Sequence, residues 1–181
     1  EGRTWLALAR DRAEAAFAQG SMAATNMWLS FLSAAIRDGA KAQVELALEP
    51  VQAIVADPHV PVRDRIEAGQ LLARGYLHVG DAREAAVAIT MIVPHIAPND
   101  SRLGQRVSLL RARLSLLQGQ PATAQLWIRR AEDALQAADE GTAQERSALA
   151  STRREILLVR SEIAERSRRF AEAVELAGAA S

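Results

Sequence analysis

The chain has 181 residues, a length that suits one domain with a substantial core. Lys plus Arg and Asp plus Glu number 22 each, and this zero net charge disfavours nucleic acid or an anionic membrane surface as a partner. The lack of cysteine excludes disulfides, thiolate chemistry and Cys-based zinc sites. No apolar run approaches the roughly 20 residues that a membrane span requires.

Alanine, leucine, arginine and glutamate dominate the chain, and apolar residues recur at spacings of three and four. These residues are good helix formers, and the spacing is typical of amphipathic helices. We therefore predict an all-α protein of about nine helices. In chain order, the predicted helices cover residues 4–18, 22–37, 40–56, 62–79, 82–96, 101–118, 121–139, 142–167 and 170–179.

Residues that favour helix starts support these boundaries. Asp81 is followed three residues later by Glu84, and Thr142 is followed in the same way by Glu145. Each pair has the pattern in which a side-chain oxygen accepts a hydrogen bond from a free amide of the first turn. Pro61 lies where another first turn begins, a place where a missing amide costs little.

Four predicted turns divide the helices into pairs. Gly39, Gly80 and Gly119 follow apolar runs at intervals of 41 and 39 residues, and a weaker turn at Arg168 comes 49 residues later. Self-similarity at such a period indicates stacked helical hairpins. A single hairpin cannot bury its own apolar face, whereas stacked hairpins bury these faces against one another. The predicted hairpins cover 22–58, 62–99, 101–139 and 142–181, preceded by the helix at 4–18, in a single domain over residues 1–181.

The segment "IEAGQLLARGYLHVGDAREAAVAITMIVPHIAP", residues 66–98, resembles a tetratricopeptide repeat. The matching residues here and in the other hairpins are Leu72, Ala73, Tyr76, Gly80, Asp81, Ala85 and Pro98, then Trp28, Phe31, Gly39 and Pro58, then Ala112, Gly119, Ala124 and Ala131, and last Phe170 and Ala173. The family period is 34 residues. The longer period here resembles the period of the repeat domains of bacterial regulators such as the maltose-regulon activator family. The resemblance implies a right-handed α-solenoid of antiparallel helical hairpins.

In tetratricopeptide-like stacks, the first helix of each hairpin lines a concave face that contacts the ligand. Carried over to this chain, the partner-binding positions are Asn26, Ser33, Arg37, Glu67, Gln70, Arg74, His78, Arg106 and Arg113. This set is more basic than the neutral whole, and arginine holds carboxylates by paired hydrogen bonds, so the expected partner is an acidic protein or peptide. The alternative is that these arginines are ordinary solvated residues. The Lys and Asn carboxylate clamp of chaperone-binding members is not reproduced.

Residues for catalysis or metal binding do not form a pattern in this sequence. His59, His78 and His95 are 19 and 17 residues apart, so none pairs with another at a helical ligand spacing. No phosphate-binding glycine loop or nucleophile elbow occurs. We predict no catalysis, no cofactor and no metal site. Whether Trp127 faces solvent or a neighbouring hairpin is left open by the sequence.

Two functions fit these features. The first is a non-catalytic scaffold that binds a protein or peptide partner in its concave groove. The second is a sensory or regulatory segment of a larger bacterial transcription or signalling regulator that binds a small molecule or peptide. The start at Glu1 and the short last hairpin suggest a piece of a longer protein, with open ends that favour self-association. Among compartments, the cytoplasm is slightly favoured over the periplasm.

Overall fold

The computed structural model describes residues 22–97, 100–136 and 143–180, together with the single positions 8 and 11. Within these ranges all regular structure is helical, which confirms the all-α prediction. The helices are α1 (Met22–Arg37), α2 (Lys41–Ala56), α3 (Val62–Val79), α4 (Ala82–Ile92), α5 (Ser101–Leu117), α6 (Pro121–Gln136), α7 (Ala143–Arg166) and α8 (Phe170–Ala179).

The predicted helix at 4–18 and the predicted cap at Thr142 lie outside the described residues, apart from positions 8 and 11, which are helical. The predicted cap at Asp81 is confirmed, because its Oδ1 accepts a hydrogen bond from the Glu84 amide at 3.0 Å. The predicted helix 82–96 is longer than the helix in the structure. It ends at Ile92, and Val93–His95 form a turn of 3-10 helix. Pro94 explains the change, because it has no amide to donate to an α-helical hydrogen bond.

The four predicted turns are confirmed as left-handed helix ends. Gly39, Gly80, Gly119 and Arg168 have φ angles of 68°, 93°, 71° and 61°. In each case the next residue donates its amide to the carbonyl five residues back, in the pairs Ala40 to Ala35, Asp81 to Tyr76, Gln120 to Ser115 and Arg169 to Ala164. This hydrogen bond satisfies a helix-end carbonyl and turns the chain into the next helix. The same left-handed helix end, with the same backbone hydrogen bond, therefore recurs in all four described hairpins.

Replacement of Arg168 by glycine is expected to raise the free energy of unfolding by roughly 0.5–1 kcal/mol. A non-glycine residue with positive φ costs about 1–2 kcal/mol, part of which is offset by the greater freedom of glycine in the unfolded chain. Gly119→Ala is the matched opposite change and should lower the same quantity by about 1 kcal/mol. Urea unfolding followed by circular dichroism measures both, and shifts of the same sign would contradict the assignment of these turns as equivalent.

Contacts divide the chain into two compact units, Glu1–His95 and Ile96–Ser181. The predicted single repeat domain over 1–181 stays a prediction, and each unit is described by itself. Within the first unit, each helix from α1 to α4 packs against the next, and α1 also contacts α3. Val44 and Ala85, each the fourth residue of its helix, are fully buried. The Trp28 and Phe31 rings pack nearly perpendicular to each other, with 5.7 Å between their centroids.

The second unit repeats this packing with α5 to α8. Each helix packs against the next, and α5 also contacts α7. Its core cluster is Leu109, Ala112, Leu116, Ala124, Ile128, Ala131, Leu135, Ile156, Val159 and Ile163. Two polar contacts also join helices of this unit. The Arg166 guanidinium donates to the Leu116 carbonyl at the end of α5, and Ser161 Oγ donates to the Ala173 carbonyl of α8 at 2.8 Å.

Candidate functional site

The predicted partner-binding residues of α1 lie on one exposed stripe of that helix. Asn26, Ser33 and Arg37 are separated by seven and four residues, a spacing that places them on the same helical face. All three are exposed. The opposite side of α1 is buried and includes Trp28 and Leu32, so the packing of the first unit leaves this stripe accessible.

The corresponding residues of α3 also share a face but differ in accessibility. Glu67 and His78 are exposed, and Arg74 is half-buried. Gln70 is 9% exposed and therefore belongs to the buried polar residues of the protein. Because α3 packs against α1, the two stripes lie on neighbouring helices of the same unit.

In the second unit, the predicted face of α5 is in contact with α7. Arg106 is exposed and Arg113 is half-buried. The Arg113 guanidinium lies 3.4 Å from the Glu155 carboxylate of α7, and both side chains are partly exposed. Solvent weakens such pairs to about 0–1 kcal/mol, so this ion pair does not prevent Arg113 from exchanging its partner.

The three histidines are not brought together by the described structure. His59, His78 and His95 are each exposed, on the α2–α3 loop, on α3 and in the turn after α4. Across the described ranges, no three His, Cys, Asp or Glu side chains converge in a way that would hold a metal ion. None of the helices in those ranges combines the length and apolar character needed to cross a membrane.

One cluster was not predicted from the sequence. Arg111 of α5 and Arg130 of α6 each place their guanidinium carbon 4.5 Å from the centroid of the Trp127 ring. Trp127 is partly buried and packs against the core cluster of the second unit, which contains residues of its own hairpin and of α7. Trp127 and Arg130 are three residues apart, a spacing at which side chains are neighbours on a helix. This part of the cluster could therefore have been predicted from the sequence. We call Arg111, Trp127 and Arg130 the Arg–Trp–Arg cluster.

No family model, curated protein or solved structure matches this chain. The resemblance to tetratricopeptide repeats therefore stays a prediction, and the function must be argued from the residues themselves.

Tyr76 is a buried side chain whose pKa is shifted. It is 9% exposed, and its hydroxyl donates a hydrogen bond to Gln52 Oε1 at 3.2 Å. Burial, followed by the negative charges of Glu84 and Asp81, raises the pKa of Tyr76 above its ordinary value of 10.0, because each of them disfavours the phenolate. This tyrosine belongs to the interface of α2 and α3 and reports on their packing.

We expect the absorbance of the folded protein at 295 nm to titrate with a midpoint above pH 10.0. The chain has one tyrosine, so the signal belongs to Tyr76 alone. In urea the midpoint should fall to about 10. Because the unfolded chain loses this proton first, the free energy of unfolding should decline as the pH rises above about 10. The Tyr76→Phe variant should show no titration, and a native midpoint below 10 would contradict the burial of this hydroxyl.

Proposed function

We propose that this chain is a non-catalytic interaction scaffold, built as a right-handed solenoid of antiparallel helical hairpins, that binds a protein or peptide partner along its first helices. The observation that carries the proposal is the recurrence of one turn, with positive φ and the same backbone hydrogen bond, in four hairpins. Within each unit, the first helix of one hairpin also contacts the first helix of the next, as α1 contacts α3 and α5 contacts α7. Stacked hairpins pack in this way.

The chemistry of the first helices favours an acidic partner. Arg37 and Arg106 are exposed on the stripes described above, and Arg74 and Arg113 are half-exposed. A guanidinium offers two parallel N–H donors that match the two oxygens of a carboxylate. An acidic segment lying along these helices would exchange the Arg113–Glu155 pair for a pair with its own carboxylates. The interaction should therefore weaken as the salt concentration rises.

A triple charge reversal tests this proposal. The variant Arg37→Glu, Arg74→Glu, Arg113→Glu is compared with the original chain as bait in pull-downs from lysate. We expect partners to be captured by the original chain and lost by the variant, since each reversal replaces attraction by repulsion. Circular dichroism first establishes that both proteins have the same helix content and the same melting temperature.

The matched control carries three reversals away from the predicted face, Arg83→Glu in α4, Arg129→Glu in α6 and Arg168→Glu in the last turn. All three positions are exposed, and the net charge changes by the same amount. The control should keep the partners that the first variant loses. Equal loss in both variants would mean that only total charge matters, and equal capture by all three proteins would exclude the first helices as the binding surface.

A further inference from the structure

The Arg–Trp–Arg cluster places two positive charges close together. Each guanidinium carbon is 4.5 Å from the same ring centroid, so the two charges lie no farther apart than twice that distance. This is about the Debye length in physiological salt, so their repulsion is incompletely screened. The indole attracts each cation through the negative charge of its ring face.

Acidic side chains of the described residues form no ion pair with either guanidinium of the cluster. Glu132, the nearest glutamate in sequence, instead pairs with Arg160 of α7 at 3.3 Å. Asp133 follows Arg130 by three residues, yet among the described residues neither Arg111 nor Arg130 forms an ion pair. In a chain with zero net charge, the cluster is therefore a local excess of positive charge. An anion bound here would relieve the repulsion.

Stacking on the indole also prepares the guanidinium groups for binding. A guanidinium that lies over a ring uses its flat face for that contact and keeps the N–H groups of its edge free to donate. Because Trp127 packs against the core cluster, the stacking surface is itself fixed. Less side-chain freedom is then lost when an oxyanion binds, which favours affinity.

The cluster lies on a different side of α5 from the predicted partner-binding face. Arg111 and Arg113 are two positions apart on the helix, so their side chains leave the axis about 200° apart. Arg113 pairs with Glu155 of α7, whereas Arg111 stacks on Trp127 of α6. The contact through which Arg113 holds a partner therefore does not involve Arg111.

We propose that the Arg–Trp–Arg cluster is a second docking site, which binds the carboxylates of an acidic peptide segment. The kind of partner follows from the proposed function, but the site itself does not depend on the stripes of the first helices. Carboxylates suit it because each guanidinium edge can donate paired hydrogen bonds to one carboxylate, so that the two edges bind two neighbouring acidic side chains.

The experiment follows the indole N–H signals of the ¹⁵N-labelled protein. The chain has three tryptophans, and a Trp127→Phe variant assigns the Trp127 signal. The probe is a blocked peptide of six glutamates, and a blocked peptide of six lysines is its control. We expect hexaglutamate to shift the Trp127 signal saturably and to leave that of Trp28 in place, because Trp28 is 3% exposed and belongs to the first unit. Hexalysine should shift neither.

Two variants of matched chemistry decide whether the cluster binds the peptide. Arg111→Gln combined with Arg130→Gln should weaken the fitted affinity about tenfold or more, since hydrogen bonds to charged groups are lost. Arg129→Gln removes one positive charge from the adjacent exposed position and should change the affinity less than about twofold. Unchanged circular dichroism and an unchanged melting temperature show that the variants remain folded.

Three outcomes would overturn the proposal. One is an equal loss of affinity in Arg129→Gln and in the double variant, which would indicate a diffuse charge effect. Another is an equal shift of Trp127 by inorganic phosphate at the same ionic strength, which would indicate a general anion site. The third is the absence of any shift with hexaglutamate. The Arg37, Arg74 and Arg113 triple variant should still show the shift, so failure of the proposed function and failure of this site are distinguishable.

Discussion

Replacement of Ile128 by alanine is expected to lower the free energy of unfolding by about 2–5 kcal/mol, the usual cost of emptying a packed core position. Ile128 is fully buried in the middle of α6 and belongs to the core cluster. That cluster joins side chains from α5, α6 and α7, so the missing methyl groups leave a gap that no single helix can close by moving alone. Urea unfolding at constant pH measures the loss.

Leu126→Ala provides the matched control for this change. Leu126 is two residues away in the same helix, but its side chain is 59% exposed. Removing a comparable number of carbon atoms there should alter the free energy of unfolding by no more than about 0.5 kcal/mol. Alanine also has the higher helix propensity, which acts in the same direction in both variants. Equal costs at the two positions would contradict the orientation of α6 in the second unit.

Helix boundaries could be predicted closely where the chain carries explicit stop signals. Helix α3 runs over Val62–Val79 as predicted, because Pro61 precedes it and Gly80 ends it in the left-handed conformation. The extent of α4 was predicted less well, since its apolar spacing continues past Ile92 although Pro94 already breaks the hydrogen-bond pattern. Apolar spacing carries no information about a missing backbone amide, and this explains why α4 was predicted too long.

The candidate surfaces could be predicted only in part. Asn26, Ser33 and Arg37 share one exposed stripe of α1, and their role in partner binding stays a prediction. Helical spacing explains why these three residues share a face. It does not reveal that Gln70 is buried, because that depends on neighbouring helices. The contact between Arg111 and Trp127 joins two helices across 16 positions of sequence. Such a contact depends on how one helix is rotated against another, and a single sequence does not specify that rotation.

Gly69→Ala is the second substitution with a large expected effect, a loss of about 1–2 kcal/mol in the free energy of unfolding. Gly69 lies inside α3, where alanine would ordinarily stabilise the helix by roughly 0.5–1 kcal/mol. Here, however, the added Cβ would meet Cγ2 of Ile92 at 2.5 Å, well inside van der Waals contact. Ile92 is 1% exposed at the end of α4, so its branched side chain has little room to move. Overpacking of this kind costs about 1–3 kcal/mol.

Gly104→Ala tests the same chemical change without the contact, because no heavy atom lies within 4 Å of a Cβ added at that position of α5. It should therefore raise the free energy of unfolding by about 0.5–1 kcal/mol. A double-mutant cycle identifies the cause of the difference. In an Ile92→Ala background the obstructing methyl is gone, and Gly69→Ala should then stabilise the protein as Gly104→Ala does. If the effect of Gly69→Ala on the free energy of unfolding changes sign in this background, the loss of stability comes from the close packing of α3 against α4. If the loss persists without the Ile92 side chain, it comes from the backbone of α3 itself.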